Sequence, residues 1–155
     1  MWTMSSEALA AEVLGIEVPQ GRQLSLIWIM HAVTNGLPIS SLDRVFRQVA
    51  PDDKAFVYRV VRRPTLARRR EAFRTKSRPE QAVLSPDEGS KVARLAKGWA
   101  MGREVWGTDD AARAFLFRPH PLLEGQLPID VVLATEFGPP IVERIVGRLQ
   151  YGAAA

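Results

Sequence analysis

Apolar residues along this chain recur at spacings of three and four, and over no useful length do they alternate. That period matches the 3.6-residue turn of an α-helix rather than the two-residue repeat of a half-buried strand, so the pattern predicts an all-α protein. Helix starts and stops can be placed from the punctuation between the stripes. A helix is expected over Gln23–Thr34, with Leu24, Ile27, Trp28 and His31 on one side and Asn35-Gly36 as its stop. Ser40 or Ser41 should cap a second helix carrying Leu42, Val45, Phe46 and Val49. Pro51-Asp52-Asp53 should open a third, its acids complementing the helix dipole and Ala55, Phe56 and Val60 turned inward. Pro64 is tolerated in the first turn of a fourth, Thr65 to about Phe73. Only Val61, Arg62 and Arg63 separate the third from the fourth, a turn tight enough to suggest helix-turn-helix.

The polar, proline-containing stretch Arg74 to Pro86 is expected to be a linker, with a domain boundary near Leu84. Ser85 and Glu88 form a capping box for a long helix that ends at about Trp106, before Gly107, and carries Val92, Leu95, Ala96, Trp99 and Trp106 on one face. Thr108 caps the next helix, with Asp109 and Asp110 in its first turn and Ala112, Phe115 and Leu116 inside, until Pro119 ends it. A short helix near Ile129–Leu133 follows, then a last one from Pro139 to Tyr151 whose expected buried stripe is Ile141, Val142, Ile145 and Leu149. This gives residues 1–22 as an N-terminal extension, 23–83 as a helix-turn-helix and dimerisation domain with its basic linker, and 84–155 as a second helical domain.

Composition narrows the chemistry. An apolar share of 46% in 155 residues is enough for a real core, and the absence of cysteine removes disulfides and thiolate chemistry. The longest bulky apolar run, Leu26–Met30, is far short of the roughly 18 residues of a membrane span. The first residues lack the pattern of a signal peptide, so a cytoplasmic protein is expected. Arg59, Arg62, Arg63, Arg68, Arg69, Arg70, Arg74, Lys76 and Arg78 face the single acid Glu71 over residues 59–78, whereas the whole chain carries only +4. Such a block suits either attraction to phosphate or a solvated helix end. His31 lies on an apolar helix face and His120 stands between two prolines; neither has a partner at metal-binding spacing. Asp52-Asp53 and Asp109-Asp110 are explained by helix starts. A binding protein is expected rather than an enzyme, with no catalytic residues, metal or cofactor.

Several small motifs then occur in order. Pro119-His120-Pro121-Leu122-Leu123 is followed by Gly125 and Pro128, then by Thr135 and Gly138, then by Gly147-Arg148-Leu149-Gln150-Tyr151-Gly152. Together with LSPDEGSKVARLAKGWAMGREVWG before them, they resemble the toxin-binding domain of the Xre/MbcA/ParS antitoxin family. Gly36-Leu37-Pro38 and Thr65-Leu66-Ala67-Arg68-Arg69-Arg70 resemble that family's helix-turn-helix half, so the likeness runs from Asn35 to Gly152. Gly89 and Lys91 depart from the family's usual Ser and Arg, and Pro64 stands where it usually has Arg.

The resemblance implies an all-α chain with an N-terminal, Xre-like helix-turn-helix half and a small helical toxin-binding domain. Its function would be that of a type II antitoxin that neutralises a RES-domain, NAD-consuming toxin and represses its own operon. In the family the last helix and tail cover the toxin's NAD pocket, which points to Arg148, Leu149, Gln150, Tyr151 and Gly152 here. Leu149 suits the end of the packing stripe better than an interface, whereas Tyr151 and Gly152 suit the interface. At ~100° per residue, with Leu66 and Phe73 facing the core, Thr65, Arg68, Glu71 and Ala72 point outward. Thr65 and Arg68 would then suit base edges, and Arg63, Arg69 and Arg74 the phosphates of operator DNA. Ile27, Trp28 and Met30 offer more apolar surface than one short helix hides, as a homodimer would require. The competing expectation is a helix-turn-helix transcriptional regulator whose C-terminal half binds another partner.

Overall fold

The computed structural model describes residues 4–18 and 20–152. Among these the protein is all-α, and extended pairing is limited to an isolated bridge between Pro38 and Val83. The chain divides into two units: residues 11–93, and residues 94–152 together with 4–10.

The first unit is built on α3 (Ile39–Val49), where Ile39, Leu42, Val45, Phe46 and Val49 supply the buried stripe. Neither serine caps this helix: Pro38 holds the N-cap position, and Ser41 is buried. Ser41 is drawn inside because its hydroxyl donates to the carbonyl of Leu14, at the end of α1 (Ser6–Leu14). Arg44 donates to the carbonyls of Val13 (3.2 Å) and Glu12 (2.8 Å), so α3 closes the C-terminus of α1 with side chains. Gly15, at φ +75°, makes the left-handed turn that lets its own amide and that of Ile16 bond back into α1.

α2 (Leu26–Asn35) starts later than expected and has no fully buried residue: Leu26, Ile27 and Met30 are exposed, whereas Trp28, Ile29, Ala32 and Val33 are half-buried. The third expected helix is instead a turn followed by a short 3₁₀ segment, Phe56–Arg59. Asp53 accepts the amide of Ala55 through its side chain (3.0 Å), a local turn that competes with helix initiation. Phe56 and Val60 are nonetheless buried, Phe56 tilted against Phe46 with centroids 5.4 Å apart.

α4 (Arg63–Thr75) carries Pro64 in its first turn as expected, but it is rotated about its axis. Phe73 is 59% exposed, whereas Ala72 is 6% exposed. The cause is Arg69: its guanidinium meets Glu88 at 2.6 Å and donates to the carbonyls of Val83 (2.6 Å) and Gln81 (3.3 Å). A face running Leu66–Arg69–Ala72 therefore turns inward, and Phe73 is carried out. The same contacts fasten the stretch before α5 (Pro86–Trp106), where Leu84 also donates to the carbonyl of Leu37 (2.8 Å). The capping box is present in both directions, with Ser85 N–H on Glu88 (2.8 Å) and Glu88 N–H on the Ser85 hydroxyl (3.2 Å).

In the second unit α5 provides Leu95, Ala96, Trp99 and Ala100, all buried. Its glycines allow close neighbours: a Cβ at Gly98 would press on Val132, and one at Gly102 on Ala112. Gly107, at φ +77°, ends the helix. Thr108 caps α6 (Asp109–Leu116) by accepting from the Ala111 amide, and Phe115 stacks on Trp106 at 4.3 Å. A 3₁₀ turn, Pro121–Leu123, leads to α7 (Pro128–Ala134) and α8 (Gly138–Gly147). The inward stripe of α8 is Val142, Ile145 and Val146; Ile141 and Leu149, expected inside, are exposed. The last helix also ends sooner than expected, because Arg148–Gly152 widens into a π-type turn.

Candidate functional site

The end of the chain is positioned by a tight corner between α7 and α8. Thr135 accepts the amide of Phe137 on its hydroxyl (3.2 Å), and its carbonyl accepts the amide of Gly138 (3.0 Å). Gly138 sits so close to α7 that a Cβ there would overlap the carbonyl oxygen of Val131. The spacing of Thr135 and Gly138 thus has a steric meaning: it brings α8 down onto α7 at the only distance glycine permits.

The loop before α7 is equally determined. His120 accepts the Leu122 amide on Nδ1 (3.2 Å), and its backbone exchanges hydrogen bonds with the Gly125 amide and the Gln126 carbonyl. Glu124 and Gly125 take positive φ to close the turn. The His120 ring rests edge-on against Phe115. His120 is therefore part of the scaffold that holds α6 to α7, which accounts for the Pro-His-Pro-Leu-Leu run.

On this scaffold Arg148, Leu149, Gln150 and Tyr151 all lie at the surface, Tyr151 at 77% exposure. Gly152 closes the π-type turn. π-type turns are frequent at functional sites. Residues 101–152 match the family model for the antitoxin Xre/MbcA/ParS C-terminal toxin-binding domain. No curated protein matches the chain. Every element from the end of α5 through the π-type turn lies inside the toxin-binding match, including the histidine loop and the Thr135–Gly138 corner.

The second candidate surface is the basic helix α4. Arg63 and Arg68 are exposed, with the Arg63 guanidinium 3.9 Å over the Tyr58 ring. Thr65 is half-buried. Arg74 pairs with Glu71 through two hydrogen bonds (2.6 and 3.2 Å), and this contact pushes the Glu71 carboxyl below its usual range and the Arg74 guanidinium above its own. Arg70 is bidentate to Asp43 (2.8 and 3.0 Å), which raises its pKa against a smaller opposing effect of burial. Arg69 points inward as described, so its role is to position the helix. Arg63, Arg68 and Arg74 stay on the solvent side.

Among the described residues no three of His, Asp and Glu come together as a metal site, and no helix is long and apolar enough to cross a membrane. Sequence reasoning assigned no role to Phe137 and assigned Ile141 to the core. Both stand out from α8, Phe137 at 69% and Ile141 at 47% exposure.

Proposed function

We propose that this chain is the antitoxin of a type II toxin–antitoxin module, a cytoplasmic inhibitor that acts by contact and not by catalysis. Its partner is a RES-domain toxin that consumes NAD, by degrading it or by transferring ADP-ribose. Inhibition follows when Arg148, Leu149, Gln150, Tyr151 and Gly152 cover the toxin's active site. The observation that carries this is the coincidence of the toxin-binding match with a terminal turn whose side chains are all presented to solvent. Tyrosine and arginine are the residue types that most often dominate protein interfaces.

The first unit serves a second task, binding operator DNA as a homodimer and repressing the operon. What supports it is the solvent-facing basic surface of Arg63 and Arg68, with Arg74 paired to Glu71 beside them, and the exposed Leu26, Ile27 and Met30 of α2. Half-site recognition by a dimer uses two copies of such a helix. The experiment is to look beside this gene for a reading frame that encodes a RES-domain toxin and to co-express the two. Growth should be rescued by the wild-type chain and lost again with Tyr151→Ala; failure of the wild-type chain to rescue growth would sink the antitoxin assignment. If growth is not rescued but promoter DNA is still bound, the chain is a helix-turn-helix regulator with a different C-terminal partner.

A further inference from the structure

One side of α6 opens onto a cavity of about 340 Å³. The space exists because the helix places two alanines there, Ala111 and Ala114, where longer side chains would fill it. Phe115 stacks on Trp106 at 4.3 Å and meets the edge of the His120 ring at 6.2 Å, so three rings stand around the same space. Arg118 and Pro119, just past the end of α6, complete the wall.

The polar groups of this wall are all donors. Trp106 carries an indole N–H and Arg118 a guanidinium. His120 accepts the Leu122 amide on Nδ1, so the proton of its neutral ring is on Nε2. Among the described residues none of these three donors meets an acceptor, and no carboxylate lines the cavity. The acids at the start of α6 are engaged elsewhere, Asp109 by Arg103 (3.0 Å) and Asp110 by Arg113 (3.2 Å), which leaves the charge of Arg118 without a counter-ion.

We propose that this cavity binds a small aromatic carboxylate. Its ring lies against Trp106 and Phe115, and its carboxylate accepts from Arg118 and from the indole or imidazole N–H. Aromatic walls favour a flat ring in stacked or edge-on contact. Donors without an acceptor select an acceptor-rich group, and the guanidinium selects negative charge and opposes an ammonium. Ligand cavities span about 300–1,000 Å³, so one of this size suits a ligand of one or two rings. The site is independent of the antitoxin and DNA readings, since it uses none of the residues assigned to either. Because His120 also holds α6 to α7, occupancy should raise the melting temperature of the chain.

The test titrates naphthalene-2-carboxylate into the full-length chain. Calorimetry and the NMR signal of the Trp106 indole N–H, assigned by its loss in Trp106→Phe, report binding. A saturable shift is expected, with a Kd of about 1 mM or below, as suits a ligand of this size. Arg118→Met should weaken binding about tenfold or more without lowering the melting temperature of the free chain. Ala114→Phe should fill the cavity and abolish binding; if that variant does not fold, Arg118→Met decides. The amine of the same ring system, 2-naphthylmethylamine, should not bind. The proposal is overturned if no saturable shift develops, if amine and carboxylate bind alike, or if Arg118→Met binds as the wild type does. It is also overturned if the Trp106 signal moves only on addition of a protein partner, since the cavity would then belong to a protein interface.

Discussion

Arg69 shows how one side chain can override a helical pattern. Leu66 and Phe73 are seven residues apart and belong on one face by periodicity, yet the ion pair with Glu88 turns the helix toward Leu66, Arg69 and Ala72. A buried ion pair contributes little against a well-packed apolar pair, but removing one partner leaves an uncompensated charge. Arg69→Ala should therefore cost about 3 kcal/mol in urea unfolding, and Glu88→Gln, which leaves the Arg69 guanidinium without its counter-charge, should cost about as much. The two glycines with the clearest local environments make opposite predictions. Gly89 lies in α5, where a Cβ would find Val33 and Leu37 at ordinary contact distance, so Gly89→Ala should stabilise by roughly 1 kcal/mol. Gly138→Ala must displace the α7 backbone and should destabilise by about 3 kcal/mol or more, read as a lowered melting temperature.

Among the elements, α2 and α8 share a property: each keeps apolar residues at the surface. In α2, Leu26, Ile27 and Met30 are more than half exposed, and the helix carries no charged residue to oppose pairing with its own copy. Ile27→Glu and Met30→Glu should convert a dimer to a monomer in analytical ultracentrifugation without unfolding the chain; a wild-type chain already monomeric at micromolar concentration would remove α2 as a dimer surface. The basic helix α4 makes a further prediction. Glu71 is a carboxylate at neutral pH, paired with Arg74, and opposes phosphate beside Arg68. Glu71→Gln should strengthen binding to promoter DNA and steepen its salt dependence by releasing Arg74. Loss of binding in that variant would mean that Glu71 reads a base.

At the scale of the whole molecule, the two proposed tasks fall to residues far apart in the chain, so they should separate on mutation. Arg68→Ala should weaken a salt-sensitive gel shift on promoter DNA and leave toxin inhibition intact, whereas Tyr151→Ala should do the reverse. Variants that always lost both activities together would argue for a single shared surface. Much of this architecture could be foreseen from residues alone. The all-α class, the capping box at Ser85 and Glu88, the Thr108 cap, the stop at Gly107 and the inward stripes of α3, α5 and α6 all depend on neighbours within a few positions. So do the motifs on which the resemblance to a toxin-binding domain rests, which the match over residues 101–152 supports. Other features depend on partners distant in sequence. Ser41 leaves its expected cap for Leu14, 27 residues away, and Arg69 turns inward to reach Val83 and Glu88. Ile141 leaves the core of α8 because Gly138 fixes how that helix meets α7. The sequence by itself determined the all-α class, the capped starts at Ser85 and Thr108 and the stop at Gly107, because these hydrogen bonds and caps are local. Only the tertiary structure decided which side of α4 and of α8 faces out, because that depends on long-range ion pairs and close backbone contacts that periodicity does not contain.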